Sequence, residues 1–162
     1  MGKNPTDRGK KGTKRSLLVD EQGGPLGLVI AEANRHDTKL LRATIEAIVV
    51  ARPALTPEQP QHLCLDKAYD NPTGHATVAA TGYTPHIRKI GEEKPSAPEG
   101  QPPHKPRRWV VERTLAWLSK CRAILVRYDK HDVNYLGLVQ LACGLFWYRR
   151  LHRLGAGIKV LR

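Results

Sequence analysis

The amino-terminal part of the chain alternates short apolar runs with turn-forming residues. Residues 17–19 form the first apolar run, the segment 20–25 is polar and rich in glycine, and a second apolar run covers 26–33. Two apolar runs joined by a short segment that contains glycine and proline are typical of paired antiparallel strands. The pattern therefore predicts a β-hairpin over residues 17–33.

Helical spacing begins after this hairpin. Asp37 or Thr38 is suited to cap a helix, and apolar residues then recur at intervals of three and four, at Leu40, Leu41, Ile45, Ile48 and Val49. We expect Pro53 to end the helix, because proline removes a backbone donor. The apolar run 62–65 follows a proline-rich loop and predicts a buried strand that ends at Asp66.

The next segment predicts a helix, a strand and a connector. Residues 72–82 indicate a helix closed by Gly82, and residues 84–90 indicate a strand. Five prolines lie within residues 91–106. Proline disrupts both helices and interior strands, so this stretch is expected to be an exposed connector.

Two helices are predicted in the carboxy-terminal part. The first covers about residues 108–125, and its apolar face consists of Val111, Leu115, Leu118, Cys121 and Leu125. Glu112 lies one residue off this face, so we expect its carboxylate to border the buried side. The second covers about residues 133–151 and is apolar on nearly all sides. Interleaved strands and helices favour a mixed α/β fold.

The charge balance of the chain favours an anionic partner. Lys and Arg number 27 against 15 Asp and Glu, a formal net charge of +12 that is spread along the chain. Such a surface attracts phosphate backbones without regard to sequence. Nucleic acid is the favoured partner over a membrane, because no basic amphipathic helix or lipidation signal is present. A basic soluble protein without a nucleic-acid partner is the simpler alternative.

The cysteines and the termini point to a reducing compartment. Cys64, Cys121 and Cys143 lie far apart in apolar runs, as reduced core cysteines do. The first 15 residues are charged and do not resemble a signal peptide, and the longest apolar run is too short to span a bilayer. We expect a soluble cytoplasmic protein associated with the nucleoid. The seven histidines show no close ligand spacing, so a zinc site is not expected.

Two carboxylates are candidates for chemistry. Asp66 follows a buried strand, and ligands collect at the carboxyl ends of such strands, although a turn aspartate before the next helix explains it equally well. Glu112, flanked by Arg108 and Arg113, also fits a solvated ion-pair partner on a helix. Taken together, the two carboxylates suit a divalent-metal site for phosphoryl transfer.

Several segments, in order along the chain, resemble the insertion sequence 5 family of transposases, which is related to the insertion sequence 4 group. They are Gly-Thr-Lys at 12–14, Leu-Leu-Val-Asp at 17–20, Gly-Pro-Leu at 24–26, Ala-Asn-Arg-His-Asp at 33–37, Leu-Asp-Lys-Ala-Tyr-Asp at 65–70, Arg-Trp-Val-Val-Glu-Arg-Thr at 108–114 and Trp-Leu at 117–118. The resemblance extends over nearly the whole chain, residues 4 to 150. Several motifs in the expected order make it specific.

The resemblance implies a ribonuclease-H-like mixed sheet with flanking helices. It also implies a DDE triad, two aspartates and a glutamate, that binds Mg²⁺ (or Mn²⁺), cuts the element ends and joins them to target DNA. The second aspartate of the triad falls on Asp66 and the glutamate on Glu112, so these two would be both catalytic and metal-binding residues. Lys67 beside Asp66, and Arg113 beside Glu112, would contact DNA phosphates.

The family's Tyr-Arg-Glu-Lys signature is only partly present. Its arginine falls on Arg108, four residues before the glutamate, and would contact DNA. The tyrosine position is Lys105 and the lysine position is Ser119, so both depart from the family pattern. Lys120, one residue late, is expected to contact DNA in place of the signature lysine.

The first aspartate of the triad has no counterpart in this chain. In the family it lies on the first strand, upstream of a basic segment like residues 9–14. Asp20 favours a hairpin turn and Asp37 a helix cap, so neither replaces it. We therefore expect the sheet to lack its first strand, which is central and lies between the hairpin and the strand before Asp66.

These observations predict a partial transposase. The expected organisation is a basic segment 1–15, a partial DDE catalytic domain 16–151 that includes the connector 91–106, and a basic tail 152–162. The chain would be a second-frame product, inactive alone, whose partners are element-end and target DNA and an upstream reading-frame product or a second transposase copy. The alternative is a non-catalytic DNA-binding or inhibitory fragment; RNA binding ranks third.

Overall fold

The computed structural model describes residues 1–5, 8–54, 56, 59–87 and 108–155, so the predicted connector 91–106 lies outside the described residues. A three-residue 3₁₀ helix, Lys67–Tyr69, follows the fourth strand. The strands and helices are, in chain order, β1 (Gly2–Lys3), β2 (Lys11–Val19), β3 (Pro25–Glu32), α1 (Thr38–Glu46), β4 (His62–Leu65), α2 (Pro72–Ala80), β5 (Thr84–Ile87), α3 (Arg108–Leu118), α4 (Arg122–Leu125) and α5 (Asp132–Arg153).

The predicted hairpin is present as β2 and β3. The two strands are antiparallel, with Leu17 opposite Leu28, and β1 pairs with the other edge of β2. The Asp20 carboxylate accepts hydrogen bonds from the backbone N–H groups of Gln22 and Gly24, which confirms its predicted place in the turn. β2 begins at Lys11, before the apolar run, because backbone pairing continues along polar residues.

β4 and β5 form a second sheet. They pair in parallel, with Cys64 opposite His86, and no ladder joins them to the hairpin within the described part of the chain. A parallel pair needs a crossover, which α2 provides between the two strands. The expected α/β class with a mixture of parallel and antiparallel strands is confirmed.

Two apolar clusters lie on opposite faces of the hairpin. Leu17 packs against the first and Leu18 against the second, since successive strand residues point to opposite faces. The buried members of the first are Leu118, Ile124, Tyr135, Val139 and Ala142 from α3, α4 and α5, and those of the second are Leu41, Ile45, Leu63 and Val78 from α1, β4 and α2. None of the helices described is both long and apolar enough to cross a membrane.

Helix α1 is shorter than its apolar pattern predicted. It ends at Glu46, although the pattern extended through Ile48 and Val49 towards Pro53. The chain instead turns back to the hairpin, where Val49 N–H donates to the Leu26 carbonyl oxygen at 3.1 Å. Val49 is therefore exposed.

The predicted helix over 108–125 is broken into α3 and α4. After Leu118 the backbone tightens, with Lys120 N–H donating to the Trp117 carbonyl and Cys121 N–H to the Leu118 carbonyl. The buried face also differs from the prediction, because Val110, Thr114 and Leu118 are buried, whereas Leu125 is 63% exposed. The pattern predicted the wrong rotation of α3 about its axis.

Candidate functional site

Asp66 lies at the carboxyl end of β4, as predicted. It is half-buried, and its carboxylate accepts a hydrogen bond of 2.7 Å from the backbone N–H of Lys67. This bond caps the 3₁₀ helix Lys67–Tyr69. Asp66 is therefore a turn-forming residue at the position where the sequence also predicted a catalytic carboxylate.

The carboxylate of Asp37, at the start of α1, acts electrostatically on Tyr69, which lies close to Asp66. The pKa of Tyr69 is raised to about 12, first by burial and then by the negative charges of Asp37 and Asp66. Asp37 is also held at 3.0 Å from the Lys14 ammonium of β2. The end of β4 and the amino-terminal end of α1 thus share one electrostatic environment, which sequence spacing alone did not indicate.

Glu112 lies on the exposed side of α3. This differs from the expected position at the border of the buried face, because that face runs through Val110, Thr114 and Leu118. Helix α3 packs against β2 and α5, whereas β4, which leads to Asp66, packs in the other cluster. No group of three or more His, Cys, Asp or Glu side chains in the described ranges could hold a metal ion.

The predicted DNA-contacting residues lie at separate places on the surface. Lys67 is exposed in the 3₁₀ helix, Lys120 is exposed after α3, and Arg113 is exposed on α3 beside Glu112. Arg113 donates to the Gln22 carbonyl oxygen at 2.6 Å. Arg108 begins α3, and its side chain lies outside the described part of the structure.

Ser119, at the lysine position of the family signature, binds an arginine from another element. Its hydroxyl oxygen accepts a hydrogen bond of 3.0 Å from the guanidinium of Arg15 on β2. Another nitrogen of the same guanidinium, Nη1, is buried without a hydrogen-bond partner. This contact joins residues 104 positions apart, so spacing along the chain did not indicate it.

The structure also brings two histidines of different strands into contact. His86 Nε2 and His62 Nδ1 lie 2.6 Å apart, and the two ring centroids are separated by 4.7 Å. The parallel register of β4 and β5 produces this contact between exposed side chains. Neighbouring strands bring together residues 24 positions apart, which spacing along the chain does not indicate.

A basic groove lies beside the hairpin turn. Its volume is about 430 Å³. The lining residues, which define what we call the arginine groove, are Gln22, Arg113, Thr114, Trp117, Phe146, Arg150, Arg153 and Leu154. The Trp117 and Phe146 rings meet edge to face with their centroids 5.3 Å apart. Cations and aromatic rings are therefore concentrated next to the helix that carries Glu112.

Comparison with known proteins identifies the family. A model of the family described as "Transposase DDE domain" matches residues 2–147, which is most of the chain. The chain belongs to the DDE transposase family. It is also 31% identical, over 154 residues, to a Burkholderia cepacia protein named as a transposase for insertion sequence element IS402. That match covers 94% of this chain and 70% of the Burkholderia protein.

Membership of the DDE family defines the class of substrate and cofactor. The family match implies interaction with DNA, and DDE transposase domains use divalent metal ions. The predicted relation to bacterial insertion-sequence transposases is confirmed by the IS402 relative, while the narrower assignment to the insertion sequence 5 family stays a prediction. No solved structure matches the chain.

Proposed function

We propose that this chain carries two of the three carboxylates, Asp66 and Glu112, with which a DDE transposase cleaves DNA and joins the strands. The observation that carries the proposal is the family match over residues 2–147, because both carboxylates fall within it. The position of Asp66 after β4 adds support, since catalytic groups of α/β sheets collect at the carboxyl ends of strands.

The chemistry of these side chains suits Mg²⁺ or Mn²⁺. Carboxylate oxygens are the ligands that such hard cations prefer, so Asp66 and Glu112 would hold the ions. When bound, a pair of ions supplies activation of the attacking oxygen and stabilisation of the leaving oxygen in an in-line displacement at phosphorus. The triad that the resemblance implies has three carboxylates, and Asp66 and Glu112 supply two, so the proposed site needs a further carboxylate.

The cations of the chain would hold the DNA while the carboxylates hold the ions. Lys67 follows Asp66 directly, and Arg113 follows Glu112, so each carboxylate has an exposed cation next to it. Lys120, exposed after α3, and Arg108, the first residue of α3, would supply further phosphate contacts. Contacts with phosphate fix the register of DNA without reading its sequence.

We further propose that the third carboxylate comes from a strand that inserts between β2 and β4. Leu18 of β2 and Leu65 of β4 pack against the same apolar cluster, yet the two strands share no ladder in the described ranges. An inserted strand would pair with β4 and with the part of β2 that β1 does not reach, since β1 pairs only with Lys11 and Gly12, and would complete the ribonuclease-H-like sheet. Without it, we expect the 162-residue chain to aggregate or unfold readily and to lack strand-transfer activity.

The test replaces single carboxylates in a protein completed by the upstream reading frame. Asp66→Asn keeps an oxygen that can accept from Lys67 N–H, and Glu112→Gln keeps the side-chain size, so both variants should fold. We expect each to reduce cleavage of labelled element ends at least a thousandfold, while the Kd for the same DNA changes less than threefold. Asp70→Asn is the matched control, because Asp70 lies in the same loop and contacts His75.

Retention of cleavage by Asp66→Asn or Glu112→Gln would refute the assignment of that residue. Strong Mg²⁺-dependent joining of element ends by the purified 162-residue chain would instead refute the need for a third carboxylate from outside it. The two parts of the proposal therefore fail separately.

A non-catalytic role is the second candidate. The favouring observation is the net charge of +12, which supports DNA binding without any contribution from the carboxylates. Such a protein would occupy element ends or pair with the complete enzyme and inhibit it. Transposition assays with and without the short chain separate the two functions, because an inhibitor lowers the transposition frequency and a complementing fragment raises it.

A further inference from the structure

The arginine groove combines positive charge with aromatic surface. Arg113 and Arg153 are exposed at its rim, and the described residues that line it include no acidic side chain. Trp117 and Phe146 are half-buried and contribute ring surface to the same groove. An anionic ligand with a planar apolar part matches this combination of side chains.

The groove is held in shape by the elements that meet at the hairpin turn. Arg150 of α5 pairs with Asp20 of the turn at 2.8 Å, and its guanidinium also lies over the Trp147 ring. Thr114 of α3 donates to the Gly23 carbonyl oxygen at 2.8 Å and is buried. Both walls are therefore fixed to the same turn, and a ligand would enter a largely preformed site.

We propose that the arginine groove binds one unpaired nucleotide of DNA. The base would pack against the rings of Trp117 and Phe146, and its flanking phosphates would contact Arg113 and Arg153. Bases stack on aromatic side chains whatever their identity, and guanidinium groups bind phosphate in a bidentate manner. This inference rests on the proposed action of the chain on DNA. A double helix cannot use the rings, because its bases remain stacked inside.

Three labelled DNA molecules of the same duplex sequence test the inference. One is blunt, one carries two unpaired nucleotides at an end, and one carries two abasic nucleotides, which keep the phosphates and lose the bases. Their Kd values are measured by fluorescence anisotropy with the protein completed by the upstream reading frame, the same protein in which the carboxylate variants are tested. We expect the unpaired end to bind about tenfold more tightly than the blunt end, the size that stacking of one base supports, and the abasic end to lose most of this gain.

Variants then assign the effect to the groove. Trp117→Leu keeps an apolar side chain beside the first apolar cluster. Arg153→Gln removes a positive charge from the rim of the groove and leaves the core unchanged. At least one of the two variants should therefore fold. Both should reduce the preference for the unpaired end, and Trp117→Leu should leave binding to the blunt duplex unchanged. The matched control is Tyr148→Leu, which removes an exposed aromatic ring that does not line the groove from α5, the helix that carries Phe146.

A spectroscopic measurement tests stacking without relying on a variant. With 2-aminopurine at the unpaired position, saturating protein should quench its fluorescence, whereas the same base inside the duplex should show no change. Equal affinity for blunt and unpaired ends, or full retention of the preference by the abasic end, would overturn the inference and leave duplex binding intact. If the unmodified protein bound none of the three DNA molecules, the proposed function itself would be overturned.

Discussion

Asp66 shows how one side chain meets a structural and a chemical requirement. Its carboxylate caps the 3₁₀ helix after β4, and its charge reaches the phenol of Tyr69. The position after a strand was predictable from the sequence, because it depends on neighbouring residues. The predicted burial of that strand and of Cys64 was wrong, because only Leu63 of β4 is buried. The contribution of Asp37 to the same environment was not, because it depends on how α1 packs beside β4.

The electrostatic link between Asp66 and Tyr69 can be measured. Asp66→Asn removes one of the negative charges that raise the pKa of Tyr69 from 10.0 to about 12, so this pKa should fall in the variant. Ultraviolet titration of the phenolate, with Tyr69→Phe as the reference that identifies the Tyr69 signal, measures the change. An unchanged pKa in Asp66→Asn would show that the carboxylate does not act on the ring.

The same shift predicts a pH dependence of stability. The folded state raises the pKa of Tyr69 and so favours its neutral phenol. The stabilisation that this gives to the folded state is fully present below pH 10, the ordinary pKa of tyrosine, and is lost as the pH rises towards about 12. The free energy of unfolding should therefore fall more steeply above pH 10 in the native protein than in Tyr69→Phe. Denaturant titrations at pH 9 and pH 11.5 compare the two, and parallel losses would contradict the prediction.

The cysteines should differ in reactivity. Burial raises the pKa of the Cys143 thiol to about 11, which lowers its thiolate fraction, whereas Cys64 is exposed on β4. Iodoacetamide at pH 8 should modify Cys64 first, as peptide mass spectrometry would show, and Cys64→Ser should remove the fast phase. Modification of Cys143 at the same rate as Cys64 in the folded protein would contradict this order.

At the scale of elements, helix α3 marks the limit of sequence pattern. Its buried face was predicted through Val111 and Leu115, but the structure buries Val110 and Thr114 instead. Thr114 is polar, and its burial depends on a hydrogen bond to Gly23, 91 residues away. The pattern of apolar residues carries no information about a distant hydrogen-bond partner. It therefore predicted a helix here but not which side of the helix is buried. The hairpin, whose contacts are local, was predicted in strand order and turn.

Two glycines should respond in opposite ways to the same added methyl group. A Cβ on Gly24 would overlap the Trp147 ring and lie 2.7 Å from a nitrogen of Arg150, so Gly24→Ala should destabilise the protein by about 1–3 kcal/mol. At Gly144, within α5, a Cβ would meet nothing within 4 Å, so Gly144→Ala should stabilise it by about 1 kcal/mol. Urea unfolding measures both changes. If both variants changed the free energy of unfolding equally, the turn would not be packed tightly against α5.

At the scale of the whole molecule, electrostatics should dominate DNA binding. With a net charge of +12, the chain neutralises phosphates and releases counterions, so its affinity should fall as salt rises. A plot of log K against log salt for a random duplex should be linear, with each phosphate contact contributing about −0.9 to the slope. Lys67→Gln and Arg113→Gln should each make the slope shallower by about 1. An affinity insensitive to salt would exclude phosphate contacts as its source.

The clamp on the hairpin turn also has a consequence for synthesis on the ribosome. Asp20 and its partner Arg150 are 130 residues apart, so the hairpin emerges long before the helix that secures its turn. Until α5 has left the exit tunnel, Leu17 and Leu28 lack the helical layer that covers them. A premature stop codon before Asp132, where α5 begins, therefore yields a chain whose first strands lack the cover of Tyr135, Val139 and Ala142, a substrate for proteases rather than a shorter working protein.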